Sequence, residues 1–389
     1  MKEASKTTKL IVAAVTVAMI LLPLIHSGGS VTAVIGFLVP FVTTVAILAI
    51  IAIGLNVQWG YTGIFNFGVV GFFMVGAFVA AIVTKSPADS EFVQYVGGFG
   101  DRLAFLPFLD SREWLPFVFG VLAAALASAL LALLLALSAL RLREDYLAIT
   151  TIGVAEVLRR VTIEETWLVN GTRGLTGIPR PLAGWFEPNV YRFVFLGLAL
   201  AMLFLVYLMV ERGISSPWGR VLRALREDED VVAASGKNVF AFKVQGFVLG
   251  AAIMGAGGAF FAFQQGAISP ETFTHFFGTF IIWAMLVLGG SGNNVGAVVG
   301  TFVVWGFWSI TLQIQSFKLP VFIVDRISFF RDFIIGALIV VVLLAGPKGL
   351  VPERARVSRW LDSRVRELRR QEAATQATAT VEPASSPVE

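Results

Sequence analysis

The chain has 389 residues, of which 57% are hydrophobic and only 14% are charged, and its mean hydropathy is +0.80. Because a soluble domain carries nearer a quarter charged residues, this composition indicates an integral membrane protein. The sequence has no cysteine and two histidines, which excludes disulfides and thiolate chemistry and argues against a metal site. The formal net charge is +4, and the basic residues collect beside apolar runs, where they orient a membrane protein rather than bind nucleic acid.

Ten apolar runs approach the roughly 20 residues that a helix needs to cross a bilayer. In chain order they are 10–26, 31–53, 61–84, 114–140, 146–163, 193–210, 244–265, 276–290, 295–314 and 327–346. The fifth run carries Glu156, Arg159 and Arg160 and the eighth is short, so whether these two cross fully is left open. The sequence therefore predicts an all-α polytopic membrane protein with about ten transmembrane helices, some of them glycine-broken or re-entrant.

The distribution of lysine and arginine predicts the orientation of the chain. Of the 30 basic residues, 19 lie in segments 1–9, 141–145, 212–243 and 347–372, and 9 lie in the opposite loops 85–113, 164–192 and 315–331. Cytoplasmic loops carry the excess of Lys and Arg in membrane proteins. Both termini are therefore predicted to be cytoplasmic, in the inner (plasma) membrane of a cell.

Residues 54–68, GLNVQWGYTGIFNFG, combine polar groups with glycines inside an apolar region. The polar residues are Asn56, Gln58, Tyr61, Thr62 and Asn66. Because unsatisfied backbone is costly in hydrocarbon, a broken helix survives only where protein or a water-filled cavity surrounds it, as at the substrate sites of transporters. These residues are therefore candidates for a substrate pathway, and close helix packing through Gly68, Gly71 and Gly76 is the alternative.

A weaker segment of the same kind lies at 288–300, LGGSGNNVGAVVG, and adds Asn293 and Asn294 to the pathway candidates. The two segments together suggest an internal duplication. Glu156 is the last candidate, since a carboxylate at membrane depth could meet the ammonium group of a substrate. Arg159 and Arg160 follow it at i+3 and i+4, and neutralisation by these helix neighbours is the interpretation that the spacing favours.

The sequence lacks the complete motifs of a membrane serine protease and of a P-loop nucleotide-binding protein. Residues 289–292, GGSG, match the pattern around the serine of some membrane proteases, but no histidine follows His275 to serve as the base. No G-x-x-x-x-G-K-[ST] motif occurs, so the chain has no P-loop to hold nucleotide phosphates. The chain is therefore predicted to have no catalytic residues, metal or cofactor of its own, and if ATP drives it, the ATP is used by partner subunits.

The polar segment 212–243 lies between apolar runs and is predicted to hold a short cytoplasmic helix. Ser216 can cap this helix, Pro217 fits its first turn, and Gly236 can supply the left-handed residue that ends it. One apolar stripe is formed at i, i+3, i+4 and i+7 by Trp218, Val221, Leu222 and Leu225. A capped amphipathic helix of this kind is suited to docking on another protein, and resting on anionic lipid is the alternative.

The sequence divides into three regions. Residues 1–350 form the predicted transmembrane domain, which includes the cytoplasmic loop 212–243. Residues 351–371 place apolar side chains among arginines, which predicts an interfacial helix on the lipid of the inner leaflet. Residues 372–389 have too little apolar surface to fold and are predicted to be disordered.

Four blocks, 54–78, 146–181, 217–236 and 269–290, together resemble the branched-chain amino-acid ABC transporter permeases of the LivM type. They run in the order of that family and span most of the chain up to about residue 350. The resemblance implies a heteromeric importer, in which a second homologous permease chain completes the path. It also implies two ABC ATPase subunits and a periplasmic or extracellular substrate-binding protein.

The resemblance further implies that residues 216–236 are a coupling helix seated in a groove of an ATPase subunit. The apolar stripe from Trp218 to Leu225 would fill the groove. The orientation of the helix would be fixed by Arg223, Arg226 and the acidic cluster that begins at Glu227.

Branched-chain or related amino acids are the substrates that the resemblance favours. Related permeases carry urea and short amides, and the run Ile64–Gly68 followed by Val69 is closer to the amino-acid branch. Several amino-acid members nonetheless have histidine where Val69 stands, so a urea or short-amide permease stays the alternative. A stand-alone secondary carrier that uses the same broken helices is the remaining hypothesis.

Overall fold

The computed structural model describes residues 6–26, 29–85, 114–315, 321–345 and 349–353, and these residues are almost entirely helical. The helices are α1 Lys6–His26, α2 Val31–Leu55, α3 Val69–Thr84, α4 Trp114–Ala139, α5 Glu144–Glu164, α6 Thr166–Val169, α7 Pro188–Ser215, α8 Pro217–Glu227, α9 Glu229–Ala234, α10 Val239–Gln265, α11 Ile281–Gly289, α12 Asn294–Gln315 and α13 Val321–Ala345. Two π-helical turns, Asn56–Tyr61 and Phe276–Phe280, follow α2 and precede α11. Within the described residues, strands β1 Leu175–Thr176 and β2 Ala267–Ile268 form one antiparallel pair.

Among the described residues, six helices are long and apolar enough to cross a membrane, and a helix lies at each of the ten predicted runs. The six segments are Thr8–Ile25, Val31–Tyr61, Pro116–Ala139, Pro188–Ser215, Val239–Gln265 and Asn294–Gln315. The all-α polytopic prediction is therefore confirmed. One boundary was wrong, because residues 62–68 are not helical and α3 begins at Val69 rather than at residue 61.

Helix α10 lies at the centre of the bundle and packs against α2, α3 and α4. Glycine lets α2 and α10 approach closely, because a Cβ added at Gly54 would lie only 2.7 Å from the Gly250 carbonyl oxygen. A Cβ at Gly76 would overlap the backbone of Gly255 in the same way. Small residues at such contacts let transmembrane helices approach to backbone contact, which confirms the predicted packing role of Gly76.

The loop between α6 and α7 is tied to the end of α10 by the strand pair. Leu175 pairs with Ile268 and Thr176 with Ala267, and the Ile178 amide donates to the Gly266 carbonyl at 3.0 Å. Gly266 has φ +69° and ends α10, which is the conformation that favours glycine at a helix C-terminus. This loop is therefore held against the end of the bundle opposite α8.

The chain divides into one compact unit, Met1–Pro352, and a second, Glu353–Glu389. Apart from residues 351–353, the predicted interfacial helix at 351–371 and the predicted disordered tail at 372–389 lie outside the described residues. Both stay predictions. All of the contacts described below lie within Met1–Pro352.

Candidate functional site

The glycine-broken segment begins where α2 passes into the π-helical turn Asn56–Tyr61, and an extended stretch then leads to α3. The break needs glycine at two positions. A Cβ at Gly60 would lie 2.6 Å from the Gly292 amide nitrogen, and Gly63 has φ +78°, a conformation that L side chains rarely adopt. The predicted break in the helix is confirmed, and protein surrounds its polar residues, as the cost of unsatisfied backbone requires.

Asn56 joins the two broken segments to each other. Its Nδ2 donates to Asn294 Oδ1 at 3.0 Å, and its Oδ1 accepts from the Gly292 amide at 2.8 Å. Asn294 Nδ2 in turn donates to Glu211 Oε2 at 3.1 Å, near the end of α7. Two segments that are 238 residues apart in the sequence therefore form one buried hydrogen-bonded unit.

Gln58 and Asn66 hold the other side of the break. Gln58 Nε2 donates to the Phe247 carbonyl of α10 at 2.7 Å, and Asn66 Nδ2 donates to Gln58 Oε1 at 2.6 Å. Asn66 Oδ1 accepts from the Gly68 amide at 2.8 Å, and Thr62 Oγ1 donates to the Val57 carbonyl at 2.8 Å.

The pathway candidates Asn56, Gln58, Tyr61, Thr62, Asn66 and Asn294 are all buried. In this conformation the side-chain amides among them make their hydrogen bonds inside the protein, so their observed role is to brace the broken helix. Contact with a substrate stays a prediction. It would require these bonds to be exchanged for bonds to the substrate.

The two remaining pathway candidates make their bonds elsewhere. Asn293 caps α12, since its Oδ1 accepts from the Val295 amide at 3.0 Å, and its Nδ2 donates to the Pro352 carbonyl at 3.0 Å. Glu156 forms ion pairs with its helix neighbours, at 2.9 Å to Arg159 and 3.1 Å to Arg160. His275 Nε2 also lies 3.4 Å from Glu156. Neutralisation by helix neighbours is therefore the arrangement that the structure adopts, and contact of Glu156 with a substrate stays a prediction.

Sequence reasoning missed an aromatic surface on the partly exposed side of the break, formed by Trp59, Phe65, Phe67 and Trp283. The rings of Phe67 and Trp283 stack with centroids 4.7 Å apart, and Trp59 lies 4.7 Å from Trp283. Trp283 Nε1 also donates to the Asn66 carbonyl at 3.0 Å, which fixes the ring against the break. The available signal was the rings of Trp59, Phe65 and Phe67 among the glycines of 54–68.

The polar segment 212–243 contains two helices where one was predicted. Asp228 separates α8 from α9 with extended backbone, and its side chain accepts from the amides of Asp230 and Val231 at 2.9 and 3.1 Å. The prediction of one helix to Gly236 was wrong because a well-placed aspartate caps a new helix more readily than it continues an old one. Gly236 has φ +77°, the predicted left-handed conformation.

Ser216 and Pro217 start α8 as predicted, although not through a side-chain cap. The Ser216 backbone has the extended conformation of an N-cap residue, and Pro217 occupies the first turn. The Ser216 hydroxyl donates backward to the Gly213 carbonyl at 2.6 Å instead of accepting from the helix.

The apolar stripe of α8 faces the membrane domain of its own chain. Leu222 is 0% exposed and Leu225 is 2% exposed, while Trp218 Nε1 donates to Gln245 Oε1 of α10 at 2.8 Å. Val221, the fourth member of the stripe, is half-buried. The prediction that this stripe fills a groove in a partner is corrected: periodicity identifies one apolar face, and the nearest apolar surface belongs to the same chain.

The surface that α8 and α9 present outward is therefore mostly polar, with small alanines and one large apolar residue. Arg220, Ala224 and Glu227 are exposed on α8, and Val231 of α9 is 63% exposed. An ion pair between Glu229 and Lys243 ties this pair of helices to the start of α10.

Arg226 connects α8 directly to the broken helix. The Ile64 amide, four residues beyond Gly60, donates to the Gln58 carbonyl at 2.8 Å, so it does not serve Gly60 as in a regular helix. The Gly60 carbonyl instead accepts a hydrogen bond from Arg226 Nη1. Arg226 Nη2 donates to Glu227 Oε1 at 3.0 Å, and Arg223 Nη2 donates to the Ile214 carbonyl at 3.2 Å. A guanidinium group of α8 thus completes the backbone hydrogen bonding of the broken helix.

Comparison with known proteins agrees with this architecture. Residues 37–343 match the model of the family described as branched-chain amino acid transport system / permease component. The chain is 29% identical over 333 residues to the probable branched-chain amino acid transport permease protein LivM of Methanocaldococcus jannaschii, covering 82% of this chain and 94% of the relative.

Two further relatives represent two related kinds of permease. The high-affinity branched-chain amino acid transport system permease protein LivM of Escherichia coli is 29% identical over 373 residues, covering 88% of this chain and 75% of the relative. The corresponding LivH protein of Salmonella typhimurium is 23% identical over 327 residues, covering 80% of this chain and 92% of the relative. No solved structure matches the chain.

Proposed function

Because the chain belongs to the family of branched-chain amino acid transport permease components, we propose that it is the membrane-spanning permease subunit of an ATP-driven importer of branched-chain or related amino acids. The relatives named above are branched-chain amino acid transport permeases. ATP is hydrolysed by separate ATPase subunits, and this chain provides part of the path.

The hydrogen bond between Arg226 and the Gly60 carbonyl carries this proposal. An importer driven by external ATPases needs a rigid connection from its cytoplasmic surface to the membrane-embedded path. Here α8 is seated on the bundle by Leu222 and Leu225 and is bonded to the break by Arg226. The ATPase subunits contact the outward face of α8 and α9, and a displacement of these helices reaches Gly60 without an intervening flexible segment.

The remaining partners follow from the same assignment. A second homologous permease chain completes the path, a proposal supported by the similarity of this chain to both LivM and LivH relatives. A substrate-binding protein delivers the substrate at the opposite side of the membrane. The excess of basic residues in segments 1–9, 141–145, 212–243 and 347–372 supports an inner-membrane location with both termini in the cytoplasm.

The surroundings of the break favour an apolar substrate side chain over urea or a short amide. Trp59, Phe65 and Phe67 are only half-buried, and they present ring faces rather than hydrogen-bonding groups beside the break. A branched aliphatic side chain gains free energy from covering such rings, whereas urea has little apolar surface to cover.

Reconstitution of the full chain with its permease partner and ATPase subunits in proteoliposomes tests the proposal through ATP-dependent uptake of radiolabelled leucine. Arg226→Met keeps the aliphatic stem and removes the donors to Gly60. Since a hydrogen bond to a charged group is worth about 1.5–3 kcal/mol, we expect uptake to fall roughly tenfold or more. Arg143→Met is the matched control, because Arg143 is exposed before the start of α5 and lies outside the outward face of α8 and α9, and it should transport at the wild-type rate.

Three outcomes would contradict the proposal. Wild-type uptake by Arg226→Met would mean that the bond to Gly60 does not transmit the work of the ATPases. Uptake by this chain alone, driven by an ion gradient and indifferent to ATP, would identify a secondary carrier. Uptake of urea or a short amide with no uptake of leucine would place the chain with the amide permeases.

A further inference from the structure

A cavity of about 320 Å³ lies at the end of the bundle opposite α8, where α2 and α7 begin and α10 ends. Arg180 from the α6–α7 loop, Tyr191, Arg192 and Phe195 from α7, and Phe263 and Gln264 from α10 contribute to its wall. Its volume falls within the roughly 300–1,000 Å³ that is usual for small-molecule sites. If the termini are cytoplasmic, this cavity lies on the external side.

Two buried polar atoms of this cavity have no hydrogen-bond partner within the described part of the chain. They are the Tyr191 hydroxyl and Gln264 Oε1. Tyr191 is only 7% exposed, and Gln264 uses its other polar atom, Nε2, to donate to Thr44 Oγ1 at 2.8 Å. Because buried polar groups are nearly always paired, a donor and an acceptor left open in one cavity indicate a ligand that supplies both partners.

The charge of the cavity is positive. Arg180 and Arg192 are both in its wall, and the lining residues include no aspartate or glutamate. Arg192 Nη2 donates to Asn189 Oδ1 at 3.1 Å, and no described carboxylate forms an ion pair with either arginine. Guanidinium groups are the donors that best match the two oxygens of a carboxylate.

The loop that carries Arg180 is held in place by the fold. The pairing of β1 with β2 and the bond from the Ile178 amide to the Gly266 carbonyl fix the loop two residues before it. A Cβ added at Gly266 would lie 3.7 Å from Arg180 Nε, so the guanidinium lies against the turn that follows Gln264. Arg180 and Gln264, which carries the open acceptor, therefore line the same cavity before any ligand arrives.

We propose that this cavity binds the zwitterionic backbone of an apolar amino acid. The carboxylate accepts from Arg180, Arg192 and the Tyr191 hydroxyl, the ammonium group donates to Gln264 Oε1, and the side chain packs on Phe195 and Phe263. The proposal rests on the proposed function and deepens it, since it assigns a substrate subsite that lies apart from the broken helix. The site would also select amino acids over urea or short amides, because a neutral amide lacks the negative charge that pairs with the two arginines.

Tyr191→Phe is the sharpest test, because it removes only an oxygen that has no partner in the protein. Binding of radiolabelled L-leucine would be measured on the full chain in lipid nanodiscs. We expect roughly two- to tenfold weaker binding for Tyr191→Phe and about tenfold or more for Arg180→Gln. Arg173→Gln, on the same loop but outside the cavity lining, is the matched control and should bind as the wild type does.

Two leucine analogues test the two ends of the ligand separately. Leucine amide lacks the carboxylate and 4-methylpentanoate lacks the ammonium group, so each should bind more weakly than leucine. Leucine amide should also be insensitive to Arg180→Gln, because the partner of that guanidinium is missing. Equal binding of leucine and leucine amide would overturn the assignment of the arginines.

Unchanged leucine affinity in both Tyr191→Phe and Arg180→Gln would overturn the proposal. So would a loss of co-purifying anionic phospholipid in these variants, measured by native mass spectrometry, with leucine binding unaltered, since the site would then hold a lipid headgroup. If the wild-type importer takes up leucine while the variants bind normally, only the subsite fails. If the wild type neither imports nor binds leucine, the proposed function fails as well.

Discussion

Replacing Asn56 by alanine should destabilise the protein by removing the side chain that joins the two broken segments. Asn56 is 0% exposed, donates to Asn294 Oδ1 at 3.0 Å and accepts from the Gly292 amide at 2.8 Å. A side-chain hydrogen bond between membrane helices contributes about 0.6–1.7 kcal/mol. A buried amide left without a partner costs about 1–3 kcal/mol. We therefore expect Asn56→Ala to lower the free energy of unfolding by roughly 2–4 kcal/mol.

A double-mutant cycle separates the bond between the two asparagines from the other contacts of each. Asn294→Ala also loses the bond to Glu211, so it should be destabilising by a similar or larger amount. The double variant should lose less than the sum of the single variants by about 0.6–1.7 kcal/mol, because both single changes remove the same bond. Reversible unfolding in mixed detergent micelles, followed by circular dichroism, measures these free energies.

Asn189→Ala is the control for this cycle. Asn189 is exposed at the start of α7, and loss of its surface hydrogen bond to Arg192 should change stability by no more than about 0.5 kcal/mol. Strict additivity of the two buried changes, or a stability of Asn56→Ala equal to that of the control, would refute the bracing role of the amides.

Two further substitutions test the packing of the bundle and the seating of α8. Gly76→Val should prevent correct folding, because even a Cβ there would overlap the backbone of Gly255. Gly197→Val is the control, because a Cβ at Gly197 meets open space. In detergent size-exclusion chromatography the control should be monodisperse and Gly76→Val should not. Leu222→Ala should cost about 2–5 kcal/mol in the same unfolding assay, since Leu222 is fully buried, whereas Val231→Ala on the exposed side of α9 should cost less than about 0.5 kcal/mol. Equal losses for Leu222→Ala and Val231→Ala would mean that α8 is not seated by its apolar stripe.

The helices and the break could be predicted because their signals are local. Runs of apolar residues give the spans, and polar groups among glycines at 54–68 give the break, since each residue there conflicts with a lipid-exposed helix. The exact start of α3 at Val69 was missed because hydropathy alone does not separate the end of an extended stretch from the first turn of a helix. The helix boundary at Asp228 was missed for a related reason, because an aspartate caps a helix only where the backbone leaves the helical conformation.

Contacts between distant segments could not be predicted from one sequence. The stripe of α8 was correctly identified as one face, but periodicity does not say whether that face meets a partner or the chain itself. The cavity beside Tyr191 is a stronger example, since Arg180 and Gln264 reach it from a loop and a helix that are far apart in the sequence. Nothing in the sequence around Tyr191, Arg180 or Gln264 indicates that these side chains line one cavity.

The position of Arg226 explains why the break and helices α8 and α9 must be considered as one element. A π-helical turn followed by an extended stretch leaves the Gly60 carbonyl without the donor that a continuous helix would supply. Since an unpaired buried carbonyl is costly, any displacement of α8 either carries the break along with Arg226 or exposes this group. Asn56 and Asn294 extend the same constraint to the second break and, through Glu211, to the helix that precedes α8. The broken helix is thereby hydrogen-bonded to both α7 and α8, through Glu211 and Arg226. A movement of α8 is therefore opposed or transmitted by specific hydrogen bonds and does not depend on a flexible loop.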